Sequence, residues 1–142
     1  MFNTKYLSYM KEIFLYLWQL PQNLLGLILL AIYRPEKMLK QYNGVYVYFS
    51  SKFPSGISLG KYSILNDIYY RGSSKLNTYI AKHESIGHAK QSMILGPLYL
   101  IVIGLPSIIW AWLYGPIIKP SMNGYYKFYT EKWADNLANI DR

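Results

Sequence analysis

The sequence predicts a mainly α fold with one small β-hairpin (α+β), built as a single domain over residues 1–142. Three observations predict it. Two long apolar runs are each broken near the middle. One short stretch is dense in β-branched and aromatic residues. Two helix-length segments, 77–95 and 125–140, carry both histidines and an acidic pair.

Composition narrows the setting. Charged residues make up 15% of the chain, hydrophobic residues 52%, and there are sixteen tyrosines. Soluble domains carry about a quarter charged residues, so the profile suits a membrane-associated protein. The formal charge of +8 fits either nucleic acid or an anionic lipid surface. No basic stripe with a nucleic-acid fold signature is present, and the lysines lie beside apolar segments. The expected partner is therefore the lipid bilayer, with no nucleic acid. With no cysteine there is neither a disulfide framework nor a thiolate site, so any metal must be held by His and carboxylate.

In chain order, residues 13–33 (IFLYLWQLPQNLLGLILLAIY) have the length of one bilayer crossing. Gln19, Pro21, Gln22 and Asn23 interrupt it, and Pro removes an amide donor from a helix interior. The run reads as a retained membrane element rather than a cleaved signal. It is either a kinked spanning helix or two half-helices that dip in and return. Residues 34–41 are basic and polar and suit an interface. A β-hairpin is expected over 44–64. Val45–Phe49 would form the first strand, Phe53-Pro54-Ser55-Gly56 the turn, and the alternating Ile57–Tyr62 the second strand. Residues 66–75 read as a loop.

A helix over 77–95, capped by Asn77 or Thr78, stops at Gly96-Pro97. An almost uncharged run follows at 98–118, broken at Gly104-Leu105-Pro106-Ser107. The last helix, 125–140, sets Phe128, Glu131, Asp135 and Ala138 along one stripe.

The chemistry concentrates in Lys82-His83-Glu84-Ser85-Ile86-Gly87-His88-Ala89-Lys90-Gln91-Ser92. Two imidazoles within two helical turns, with a Glu beside the first, form the combination used by zinc hydrolases. Zinc peptidases commonly place the histidines at i and i+4. Here they are at i and i+5, which in a regular α-helix points them about 140° apart. One extra residue taken up as a π-bulge would bring them onto one face, and Gly87 would ease that distortion. Glu84 and His88 are themselves i and i+4. Without a bulge they would chelate a metal together and leave His83 outside.

The pattern His-Glu-x-x-Gly-His over His83–His88 resembles the motif of the dipeptidyl-peptidase III family, within the gluzincin group of zinc peptidases. Thr130-Glu131-Lys132-Trp133-Ala134-Asp135 is similar to the Glu-x-x-Ala-Asp form of membrane proteases of the CAAX type. The two matches cover residues 83–92 and 130–135. The run from His83 through Gln91-Ser92 to Leu95-Gly96-Pro97-Leu98-Tyr99 also resembles small bacterial membrane proteins.

The resemblance implies a membrane-associated, minimal zincin-like helical domain binding Zn2+ through His83, His88 and Glu131. Glu84 would be the general base in hydrolysis of a peptide or protein substrate. Asp135 would accept the free ring N–H of a ligand histidine. Gln91 and Ser92 would support the site or face headgroups. An oxyanion donor would have to be a tyrosine, with Tyr125, Tyr126, Tyr129 and Tyr62 as candidates. In gluzincins a sheet edge beside the metal helix holds the extended substrate, which points to the hairpin.

This ligand set constrains topology. A single crossing at 98–118 would part Glu131 from the histidines. A reversal at Gly104–Ser107 would make 98–118 a shallow membrane hairpin and keep both ligand helices on one face. The expectation is a monotopic or hairpin-inserted protein of the bacterial inner membrane, its site at the cytoplasmic interface. Two other readings use the same residues: a zinc-binding membrane protein or other metal hydrolase, and a non-enzymatic integral membrane protein.

Overall fold

Pro21 fixes the first break. In a computed structural model that describes residues 4–40, 44–71, 75–114 and 122–142, the chain opens with α1 (Thr4–Trp18) and α2 (Leu20–Tyr33). Their axes bend by 79° at Gln19. Pro21 falls in the first turn of α2, where a missing amide hydrogen leaves no helical bond unmade. The element expected over 13–33 therefore begins earlier and is two helices. Among the described residues no single helix is long and apolar enough to cross a membrane.

Four short strands follow: β1 (Lys37–Lys40), β2 (Tyr46–Ser50), β3 (Gly56–Leu59) and β4 (Tyr62–Asn66), in sheet order β1-β2-β4-β3. The expected hairpin over 44–64 is corrected here. β2 does not pair with β3; it runs parallel to β4, from Tyr46↔Tyr62 to Ser50↔Asn66. The hairpin is β3–β4, closed by the two residues Gly60 and Lys61. Phe53 explains the difference. It is buried, with its ring edge-on to Tyr33 at 4.9 Å, so the 51–55 segment is pinned to the end of α2 instead of folding back on itself. The interfacial segment expected at 34–41 contributes β1 to the sheet edge. The loop expected at 66–75 contains α3 (Ile68–Arg71).

One face of this sheet packs on α4 (Lys75–Lys82). Val47, Phe49 and Leu65 close against Ile80, with Tyr69 and Ala81 alongside. Each buried side chain of this kind contributes about 1.5–3 kcal/mol. This small apolar core seats the start of the metal-helix candidate on the sheet.

α4 continues without interruption into a π-helical segment, His83–His88, and then α5 (Ala89–Leu95). The stop at Gly96 is as expected. Its φ of +53° suits glycine, and a Cβ there would lie 2.2 Å from Cε2 of Trp18. Past the turn Gly96–Leu98 the chain bends by 119° into a π-helical turn, Leu100–Gly104, and then α6 (Leu105–Leu113).

The reversal thus lies at 96–99 and not at Gly104–Ser107. The widened Leu100–Gly104 turn carries the helix past Pro106, which sits in the first turn of α6 where its missing donor is tolerated. Residues 115–118 of the expected membrane hairpin lie outside the described residues. The chain ends in α7 (Met122–Tyr125) and α8 (Tyr129–Leu137), so the helix expected over 125–140 is shorter and starts after a turn at 126–128.

Candidate metal centre

The site begins with the widened turn. Within His83–His88 the backbone takes the i→i+5 spacing, shown by the Ala89 amide donating to the Glu84 carbonyl. The extra residue rotates the two imidazoles toward each other. Their ring centres are 4.7 Å apart and their planes stand at 89°. Gly87 has a different use from the expected one. A Cβ on it would lie 2.4 Å from the Ala134 carbonyl oxygen, so the glycine lets α8 lie directly on the widened turn.

That contact brings Glu131 and Asp135 to the histidines. Glu131 Oε2 lies 3.0 Å from His83 Nε2 and 3.6 Å from His88 Nε2. The other ring nitrogens point outward to fixed acceptors. His83 Nδ1 donates to Asp135 Oδ1 at 2.7 Å, and His88 Nδ1 donates to Gln91 Oε1 at 2.7 Å. The Gln91 amide nitrogen is committed to the Thr130 carbonyl at 2.8 Å, which turns its oxygen to His88. With Nδ1–H held in this way, both Nε2 atoms face the shared centre.

Glu84 is buried beside the pair, with Oε2 accepting from Ser58 Oγ at 2.9 Å. The same hydroxyl lies 2.8 Å from the Glu84 carbonyl oxygen, so β3 grips the start of the turn. His83, Glu84 and His88 each offer a donor atom, all within 4.8 Å of one another, and the group is placed to hold a metal ion. Two carboxylates therefore border the imidazoles. Glu131 is the one whose free oxygen faces both Nε2 atoms, its Oε1 being held by Thr130 Oγ1 at 3.0 Å. The arrangement in which Glu84 and His88 chelate alone does not match this geometry, because His83 shares their centre.

Electrostatics follow the contacts. Burial opposes a charge on His83, but the carboxylates of Asp135 and Glu131 outweigh it and lift its pKa to about 9. Burial likewise opposes a charge on His88, and Glu131 and Glu84 raise it. Burial works against the Glu131 carboxylate too, and the two imidazoles hold it well below the usual range. A proton on these nitrogens and a metal ion compete for one position.

The structure brings together His83, Glu84, His88, Gln91, Glu131 and Asp135. It does not bring Ser92, whose hydroxyl instead donates to Gln19 Oε1 at 2.7 Å. Of the tyrosines, Tyr126 stands edge-on to His83 with ring centres 5.3 Å apart. Tyr125 is near enough that burial and then the charges of Glu131 and Glu84 raise its pKa. Tyr129 donates to the Val102 carbonyl at 2.6 Å, and Tyr62 stacks on Tyr46 with ring centres 6.4 Å apart; neither joins the site.

Four contributors had no sequence signal. Ser58 and Thr130 fix the two carboxylates. Tyr99 is buried with its hydroxyl on the Ser58 carbonyl at 2.9 Å. Arg142 donates to both Asp135 oxygens at 3.1 Å while its guanidinium carbon lies 3.6 Å over the Tyr126 ring. No protein-family model, curated protein or solved structure matches this chain.

Proposed function

We propose that this protein is a membrane-associated, zinc-dependent metallopeptidase with His83, His88 and Glu131 as ligands and Glu84 as general base. The observation that carries the reading is the convergence of two outward-anchored imidazoles on one free carboxylate oxygen. Donors about 2.1 Å from a tetrahedral zinc stand roughly 3.4 Å from one another. The separations of 3.0 and 3.6 Å from Glu131 Oε2 bracket that spacing, and two imidazoles with one carboxylate are a zinc-type donor set.

Zinc, when bound, supplies Lewis acidity and makes water a nucleophile near neutral pH. The chain's own residues provide the rest. Asp135 and Gln91 keep the ligand nitrogens aimed inward. Glu84 accepts a proton at the carboxylate left beside the ligands, with Ser58 holding one of its oxygens. A Cβ at Gly56 would lie 3.0 Å from Glu84 Oε1, so glycine keeps that oxygen uncrowded. β3 is a sheet edge alongside Glu84, where an extended peptide can add backbone hydrogen bonds. Tyr99 already occupies the Ser58 carbonyl, which leaves the Gly56 end for such pairing.

A second reading, a zinc-binding membrane protein without proteolysis, is favoured by one observation. His83, His88 and Glu131 are 3, 6 and 3% exposed, as in a closed structural site. Metal analysis and peptide hydrolysis decide. The purified protein should carry near-stoichiometric zinc, and His88→Ala should lose it. Glu84→Gln should keep the metal and lose hydrolysis by about 10²–10⁴-fold. A metal-free native protein would defeat both readings. Zinc without any hydrolysis in the parent would leave the second.

A further inference from the structure

Three helices turn large apolar faces outward. α1 buries no residue, and its half-exposed Glu12 accepts from Lys61 Nζ at 2.5 Å. Its Leu7, Met10, Phe14 and Leu17, on three- and four-residue steps, are each more than half exposed. α2 buries Gln22 and Asn23 completely and exposes Leu24, Ile28 and Ile32 by half or more. In α6 the Ser107 hydroxyl is covered, while Trp112 is 77% exposed. An amphipathic helix on a soluble domain does the reverse.

The two bends are joined. Trp18 Nε1 donates to the Met93 carbonyl at 3.1 Å, and the Trp18 ring covers Gly96. Gln22 Nε2 donates to Ser92 Oγ at 2.9 Å and to the Gly96 carbonyl at 2.8 Å, and Ser92 Oγ donates in turn to Gln19 Oε1. Of the polar residues that interrupt the first apolar run, Gln19 and Gln22 thus join Ser92 in the crook where the bends meet, with Gln22 Oε1 left unpaired, while Asn23 donates to the Tyr16 carbonyl and accepts from the Lys61 amide. The outer face is left without a charge: residues 13–33 and 91–114 contain no Lys, Arg, Asp or Glu, although the chain carries +8.

We propose that these outer faces of α1, α2 and α6 dock on one leaflet of an anionic bilayer, both bends dipping in from the same side. Lipid fits better than a protein partner, because the sorting repeats on three helices of two bent pairs and cations border both uncharged runs, Lys11 and Arg34 at one and Lys90 at the other. α1 and α2 have 15 and 14 residues and fall short of the roughly 20 needed to cross. Polar backbone and amides at depth are tolerated where protein satisfies them, and the Gln19–Gln22–Ser92 cluster pairs all its side-chain polar atoms but Gln22 Oε1. With the seven residues of α5 between them, His88 and Gly96 are about 12 Å apart along the helix. The metal centre then sits at headgroup level, and its substrates are peptide bonds lying at the membrane surface. This inference deepens the membrane part of the function proposed above and does not depend on the zinc.

The cysteine-free chain allows the test. Nitroxide labels on single cysteines at Met10, Leu17, Leu98 and Trp112 should become shielded from an aqueous nickel relaxant on phosphatidylglycerol/phosphatidylcholine vesicles. Labels at Lys52 and Lys127 should stay aqueous and react with an impermeant maleimide from one side. Leu17→Lys should weaken vesicle partition roughly tenfold. Reaction of Lys52 and Lys127 positions from opposite sides overturns the proposal, as do water-exposed labels at the bends. A discrete dimer that buries those labels without lipid overturns it too. Zinc content measured on the same samples separates the cases. Docking without zinc removes only the peptidase reading, and zinc without docking removes only this one.

Discussion

Two buried polar clusters share one helix, a single turn apart, and they are made of different chemistry. Around His83 and His88 the ionisable groups gather, Glu84, Glu131, Asp135, and Arg142 behind it, with the Gln91 amide a neutral partner on His88 Nδ1. Around Ser92 the partners are the neutral amides of Gln19 and Gln22, which bond the hydroxyl and a backbone carbonyl and leave only Gln22 Oε1 unpaired. The first cluster leaves two imidazole nitrogens and a carboxylate oxygen facing each other, an arrangement that favours a cation between them. The second is neutral, so it can lie at membrane depth without a charge to desolvate. Burial alone does not distinguish a chemical centre from a structural joint. The distinction is whether ionisable groups are left facing one another.

The sharpest way to break that comparison is to challenge the centre with a chelator, on the proposal that it binds zinc. Zinc at a free concentration 1,000 times its dissociation constant contributes about 4 kcal/mol. Chelation should then lower the melting temperature by roughly 10 °C, read by calorimetry, while the joint around Ser92 stays formed. The metal-free protein should also acquire a pH dependence. His83 is lifted from 6.5 to about 9 in the fold, so its charge stabilises fully below pH 6.5 and this contribution is lost as pH rises through 9. A melting temperature that climbs over that window would contradict the assignment of Asp135 and Glu131 as its partners. Zinc-loaded protein should lack the fall.

Asp135→Asn comes next. It keeps the shape but weakens the acceptor on His83 Nδ1, and zinc affinity should drop 10–100-fold in a chelator competition. Gln22→Ala is the matching change in the neutral joint. It should cost about 1–3 kcal/mol of unfolding free energy and leave zinc affinity unchanged. Coupling between the two readouts would show that the clusters are one unit. Thr130→Val is the smallest, with about 1 kcal/mol lost from one hydrogen bond to Glu131 Oε1 and a modest fall in affinity.

Much of the centre was legible because its chemistry is concentrated. The chain has only two histidines, and their i, i+5 spacing demanded a widened turn, which the backbone supplies at that place. Glu131 and Asp135 were singled out by the resemblance of 131–135 to the Glu-x-x-Ala-Asp form, with their step of four placing both on one helix stripe. Ser58, Thr130 and Arg142 were not, since a hydroxyl or guanidinium acquires its role only when a distant element is laid against it. The sheet was half legible for the same reason. Strand-forming stretches show in composition, but the choice of β4 over β3 as the partner of β2 was decided by Phe53 packing on Tyr33, a long-range contact. The reversal was misplaced because Gly104 and Pro106 look like a break. A π turn absorbs them, while Gly96, pinned under Trp18, makes the actual bend.

The widened turn at His83–His88 has one more consequence. Each residue added to a helix advances everything beyond it by about 100°. The extra residue therefore sets the azimuth of Ser92 and Gly96 as well as that of His88. Forcing the same residues into regular α-helical hydrogen bonding would point the imidazoles about 140° apart, and that rotation would also swing Ser92 away from Gln19 and Gln22. The cluster around His83 and His88 and the joint around Ser92 are thus clocked by the same widened turn.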